Sequence, residues 1–217
     1  MTLTQALIGF TVLAAVVTLT PGLDTVLVLR QALRGRRSTA FAAGAGICLG
    51  TLVWGVAAAT GLGALFAASQ VAYTVLKWAG VAFLAYLAFG YLRSAIRGDA
   101  HVAESTGSPD TAGEAFVKGL LTNLLNPKVA VFYVTVLPLF LPAGYPPAAI
   151  GATLAGIHAA MGIAWFTVVI LCAHALRGFL ASRRGARVVD GAAGVAMLGF
   201  GVVLGFVVLI VANIMEG

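Results

Sequence analysis

Thr20-Pro21-Gly22-Leu23-Asp24-Thr25 and Asn123-Leu124-Leu125-Asn126-Pro127-Lys128 each interrupt a long apolar run. Proline removes a backbone donor and its ring clashes with the preceding turn. Gly22 loosens the first break further. In a bilayer the freed backbone groups must be met by protein or by cavity water. A proline kink alone would account for either break. The charges beside them add a second meaning, because Asp24 and Lys128 are the ionisable acid and base well inside the apolar runs near the breaks. Each costs about 2.5–3.5 kcal/mol at mid-helix on insertion scales, and such residues are functional candidates by default.

The surroundings of these breaks are those of a membrane protein. Of 217 residues, 61% are hydrophobic and 9% charged, against roughly 45–50% and about 25% in a soluble domain. Mean hydropathy is +1.04. So few charges exclude a separate soluble domain. A helix needs about 20 apolar residues to cross the hydrocarbon core. Six stretches qualify, at approximately 5–29, 39–68, 71–92, 116–141, 148–176 and 189–214. The Ser69-Gln70 boundary must hold a tight hairpin, because the run through it is far too long for one span. The N-terminus lacks a basic n-region, so the first run reads as a permanent helix, not a cleaved signal.

Charge placement orients the chain. Arg30, Arg34, Arg36 and Arg37 fill the first loop, Arg93, Arg97 and Lys118 flank the third, and Arg177, Arg183, Arg184 and Arg187 fill the fifth. The second and fourth loops carry no basic residue, and only Lys77 and Lys128 lie elsewhere. The positive-inside rule puts the basic loops in the cytoplasm and both termini outside. The net charge of +6 is therefore topogenic, and no nucleic-acid partner is needed to explain it.

The two halves are alike. Ala45-Gly46-Ile47 matches Ala155-Gly156-Ile157, Trp54 matches Trp165, and Ala79-Gly80-Val81-Ala82 matches Ala193-Gly194-Val195-Ala196. Pro21 answers Pro127. With three helices per half, the second half is inverted, the recurring plan of secondary transporters. The expected fold is an all-α polytopic membrane protein of six transmembrane helices, two inverted three-helix repeats, with helices one and four broken. It forms a single transmembrane domain over 1–217, with repeats 1–93 and 116–217 joined by the cytoplasmic loop 94–115.

On this plan Asp24 and Lys128 converge near the pseudo-twofold axis. They form either a structural ion pair or a dipolar site, Asp24 for an ammonium and Lys128 for a carboxylate. The second pattern suits an amino acid zwitterion. Asn126, Pro21, Gly22, Pro127, Thr20 and Asn123 complete the expected binding site, with half-helix N-termini adding partial positive charge. Thr20 and Asn123 either line a cavity or satisfy broken backbone. His158 titrates in a range suited to carrying protons, or is a buried histidine bonded to a backbone carbonyl. Asp24 and His158 are thus the proton-coupling candidates. Lys77 is expected to snorkel beside an interfacial Trp78. Thr51 and Thr60 are expected to bond their own helix. Gly46-x-x-x-Gly50 and Gly201-x-x-x-Gly205 permit close packing, inside the chain or in a homodimer. Cys48 and Cys172 have no metal-binding spacing and read as small core residues. No metal or other cofactor is expected.

The segment Thr20-Pro21-Gly22-x-Asp24 opening into a basic loop resembles the first signature of the LysE/RhtB amino acid exporters. Lys77-Trp78-Ala79-Gly80-x-x-x-Leu84, an acidic linker and Asn126-Pro127-Lys128 resemble the rest, in the same order over nearly the whole chain. The resemblance implies six helices in the bacterial inner membrane and efflux of amino acids or their derivatives, coupled to the proton motive force. Three positions depart from the pattern. Leu23 stands where a second proline is common, Phe83 where tyrosine is, and Thr51 where an acid is frequent. The last removes a second intramembrane charge and leaves Asp24 as the leading proton-linked group.

Three other functions compete with export of amino acids. A thiol-disulfide membrane electron carrier needs cysteines at the breaks, where Asp24 and Lys128 stand. An intramembrane enzyme needs HExxH, paired aspartates or a nucleophile arrangement, none of which occurs in the spans. An exporter of inorganic ions has poor cation ligation here, because Lys128 lies near the lone acid.

Overall fold

The computed structural model describes residues 1–34, 36–68, 70–97, 110–180 and scattered positions between 182 and 202. Its elements are helical. α1 covers Leu3–Leu19, opened by a capping box of Thr2 and Gln5. It stops where Thr20 turns extended (ψ 113°), as a residue before proline must. α2 covers Leu23–Arg34 with Asp24 in its first turn, where a negative charge complements the helix dipole. α3 covers Arg37–Ala68 and α4 covers Gln70–Arg97. α5 covers Ala112–Leu124, capped by Thr111 and Glu114 in a second capping box. α6 covers Pro127–Thr135, with Asn126 as N-cap and proline at the first helical position, where its missing N–H costs nothing. A 3₁₀ turn, Leu137–Phe140, follows. The chain then turns through Gly144 at φ 85° into α7, Pro147–Leu180.

α3 and α7 are each long and apolar enough to cross a membrane. α1 with α2, and α5 with α6 and its 3₁₀ turn, pass the same test as bent pairs, at 50° and 51°. Both expected breaks are therefore present. The first is sharper than a kink in a helix over 5–29, since α2 is a separate helix that runs on to Arg34. This shrinks the first loop and moves Asp24 from near a helix end to the start of one. α4 likewise runs past 92 to Arg97, and α7 past 176 to Leu180. The hairpin expected at Ser69-Gln70 falls where α3 ends and α4 begins. Most of the expected sixth span, 189–214, lies outside the described residues, as do Gly201, Gly205, the side chain of Lys77 and most of the linker 94–115.

α3 is the central strut. A Cβ on Gly46 would fall on the Phe116 carbonyl, and one on Gly119 on the Ala43 carbonyl. The two backbones thus touch, which only small residues allow. Gly50 meets Asn123 further along, so α3 and α5 run parallel. Against α7 the order reverses. Gly44 meets Phe166, Cys48 meets Gly162, and Gly55 meets Ala155, so these helices are antiparallel. The Gly46-x-x-x-Gly50 stripe therefore serves an internal interface. The registers also place the starts of α2's following loop and of α5, and the far end of α7, at one end of the bundle. That end carries the basic loops. There Asp110 accepts from Gln31 of α2 and from Lys118 of α5, the latter at 2.6 Å.

Two apolar packings divide the bundle. One holds Phe10, Ala14, Val17, Phe132, Tyr133, Leu137 and Leu154. The other, toward the basic end, holds Val28, Ala43, Ile47, Phe166 and Ile170. The helix breaks lie between them.

Candidate functional site

Both breaks open onto one cavity of about 40 Å³, lined among others by Val17, Asp24, Thr51, Asn123, Lys128 and His158. That is room for roughly three water molecules. An apolar packing lies on either side of the cavity.

Each break is completed by the other half of the chain. Breaking α1 frees carbonyls at its C-terminus. The Lys128 ammonium donates to two carbonyls there, Thr20 O at 2.9 Å and Val17 O at 3.2 Å. An ammonium suits this position twice over, as a donor and as a positive charge at the negative end of a helix dipole. Asp24 is 9% exposed. Its Oδ2 accepts from Asn123 Nδ2 at 3.0 Å, so a carboxylate of α2 is held by an amide from the last turns of α5. The same Nδ2 lies 3.4 Å from Thr51 Oγ1. Gly50 makes this possible, because a Cβ there would stand 2.6 Å from Asn123 Oδ1.

Asp24 and Lys128 thus share a cavity without forming an ion pair, since Lys128 is turned to the α1 carbonyls. Three buried polar atoms at the breaks make no hydrogen bond of good geometry, Asp24 Oδ1, Asn123 Oδ1 and Asn126 Nδ2, and the Asn126 amide stands close to the Asp24 carboxylate. An unsatisfied buried group costs about 1–3 kcal/mol, so three together call for an explanation. Two oxygens and one N–H group can meet an ammonium and an oxygen acceptor respectively.

The other expected residues take structural posts. Thr20 Oγ1 donates to Val16 O at 2.7 Å, so its hydroxyl satisfies helix backbone while its carbonyl holds Lys128. Asn126 Oδ1 accepts from Lys128 N at 3.1 Å, as the α6 cap. Pro21 and Gly22 make the first break, and Pro127 starts α6. His158 lines the cavity and is bonded to Tyr133 Oη at 3.0 Å, not to the backbone carbonyl expected of a buried histidine. Thr51 and Thr60 do bond their own helix, to Ile47 O and Val56 O. Trp78 is 42% exposed, as an interfacial residue would be.

Two contacts were not legible beforehand. Tyr133 looks in sequence like any aromatic of a greasy helix. Trp165 Nε1 donates to Thr25 Oγ1 at 3.4 Å, tying α7 to the first turn of α2. The two cysteines are free. Cys48 Sγ donates to Ala159 O at 3.5 Å. Cys172 is ten residues beyond Gly162, the neighbour of Cys48, hence roughly 15 Å along α7. A disulfide needs Cα atoms within about 7 Å, so these thiols cannot pair in this arrangement.

Known proteins supply the family. The family model described as LysE type translocator matches residues 15–207. The threonine efflux protein of Escherichia coli K12 is 32% identical over 195 residues, covering 85% of this chain and 89% of its own. The uncharacterized membrane protein YrhP of Bacillus subtilis strain 168 is 27% identical over 207 residues, covering 93% and 99%. The homoserine/homoserine lactone efflux protein of Salmonella typhi is 32% identical over 133 residues, covering 61% and 63%. No solved structure matches. With the family model spanning most of its length, this chain belongs to the LysE type translocator family.

Proposed function

We propose that the chain is a secondary transporter that exports amino acids from the cytoplasm in exchange for protons. Threonine and homoserine are the first substrates to test, since they name relatives that this chain resembles over much of its length. The observation that carries the reading is Asp24. Its carboxylate sits at a helix break and lines the cavity, with one oxygen unpaired, and the Asn123 side-chain oxygen is unpaired as well. Those two oxygens take the substrate ammonium. The Lys128 ammonium takes the carboxylate with the N–H left over from its two carbonyl bonds.

The transport cycle alternates between the two apolar packings. With the inner one parted, an amino acid enters from the cytoplasm and binds the ionised Asp24. With the outer one parted, a proton from outside neutralises Asp24, the ammonium loses its counter-charge, and the substrate leaves. The proton is released inside when the site returns. The plan is one transmembrane domain over 1–217 in a bacterial inner membrane, with both termini outside. Its two inverted halves, 1–93 and 116–217, meet at the breaks. The near-equal bends at Pro21 and Pro127 and the reciprocal contacts across them support that symmetry.

Efflux from proteoliposomes loaded with a mixed amino acid pool tests the reading. The lumen is made alkaline relative to the bath, and threonine and homoserine are expected to leave first. Release of no amino acid above protein-free vesicles would sink it.

A further inference from the structure

Tyr133 and His158 form a polar pair that the cycle above does not use. Their rings stack at 5.7 Å and 20°, with the Tyr133 Oη and His158 Nδ1 atoms 3.0 Å apart. Phe10 and Phe132 pack edge-on or tilted against both rings, which hems the pair in. Tyr133 is fully buried. A buried phenol must give its proton to an acceptor. Among the described residues, His158 Nδ1 is the acceptor it has. Nδ1 is therefore the bare nitrogen, and the neutral imidazole carries its hydrogen on Nε2. His158 lines the cavity, and Nε2 makes no hydrogen bond to any described residue. The pair thus presents a fixed N–H donor to the cavity.

The proposed substrate needs such a donor. A carboxylate offers about four lone-pair sites, and two of the three Lys128 N–H bonds are already given to α1 carbonyls. We propose that His158 Nε2–H is a second donor to the substrate carboxylate, and that Tyr133 is the positioning residue that holds His158 in the required tautomer. This rests on the amino acid reading and narrows it. The favoured substrate is an amino acid with a free carboxylate, and molecules whose carboxyl is closed into an ester, including the lactone in one relative's name, bind this chain more weakly.

The test titrates purified full-length protein with L-threonine and with L-threonine methyl ester. The wild type binds threonine on the order of 10-fold or more tighter than the ester, the worth of a hydrogen bond to a charged group. His158→Leu lowers that ratio severalfold, leaving the share that Lys128 supplies, because threonine weakens and the ester does not. His158→Gln, which keeps an N–H near the place of Nε2, retains it. Tyr133→Phe keeps the ring stack and lowers the ratio partway, which carries the comparison if His158→Leu does not fold. Nitrogen-15 spectra of histidine-labelled protein show His158 as the Nε2–H tautomer in the wild type and as a mixture in Tyr133→Phe. An unchanged ratio in folded His158→Leu and Tyr133→Phe, or an Nδ1–H tautomer in the wild type, overturns the proposal. If the wild type binds neither ligand, the amino acid reading fails and the carboxylate proposal with it, while the spectra separately judge the tautomer.

Discussion

The two helix breaks are built from the same ingredients and use them differently. At the break at Pro21, Thr20 closes the α1 end on Val16 O, and the carbonyls of Val17 and Thr20 take an ammonium from the other half, Lys128. The break at Pro127 caps itself through Asn126 and offers its upstream amide, Asn123, to the first half's Asp24. The difference separates two kinds of charge. Lys128 gives two of its three N–H groups to the fold, and Asp24 keeps one oxygen without a hydrogen-bond partner. A buried charge that is satisfied serves structure first, and one that is half satisfied is available for a ligand.

That comparison breaks most visibly at Lys128. Lys128→Met strips both carbonyls of their donor, each worth about 1–3 kcal/mol when left unsatisfied. Export is abolished and thermal unfolding moves down together. Asp24→Asn separates the two effects. The amide oxygen still accepts from Asn123, so stability changes by about 1 kcal/mol or less, while threonine binding falls roughly 10–100-fold for a lost charged hydrogen bond. Equal thermal losses in the two variants would erase the distinction drawn between them.

Smaller changes sharpen it. Gly50→Ala places a methyl 2.6 Å from Asn123 Oδ1 and pushes the amide off Asp24. Affinity falls about 10-fold by loss of that charge-assisted bond, read by titration, with α3 still helical by circular dichroism. Asn126→Ala removes the α6 cap, for about 1 kcal/mol, seen as a modest drop in unfolding temperature, and also removes the unpaired Nδ2 donor. Thr20→Val removes a hydroxyl that bonds its own helix, and transport stays within about twofold, since such back-bonding contributes little.

Much of this was legible in the chain because the bilayer makes sequence speak plainly. Apolar length and the prolines show four of the six expected spans, two of them broken, and the arginines mark the end where the starts of α3 and α5 lie together. The pairing of Asp24 with Lys128 at one cavity was also readable, because a membrane interior isolates each charge. Their exact partners were not. Whether Lys128 meets a carboxylate or two carbonyls depends on a 50° bend that no residue pattern specifies. Helix ends shifted for a related reason, since α2 and α4 run on through arginines that hydropathy treats as loop. The Tyr133–His158 bond joins positions 25 residues apart on different helices, and neither residue is unusual in its own segment. Long-range side-chain contacts need the packing, and here the packing follows from glycines of α3 whose neighbours the sequence does not name.

Proton movement during threonine efflux is the most direct test of the central claim, that Asp24 at the first break carries both substrate and proton. Reconstituted protein is loaded with threonine and an internal pH dye. The wild type is predicted to acidify the lumen in step with threonine release, and Asp24→Asn to show no threonine-dependent acidification while remaining folded. Acidification of equal size and rate in Asp24→Asn would contradict the account.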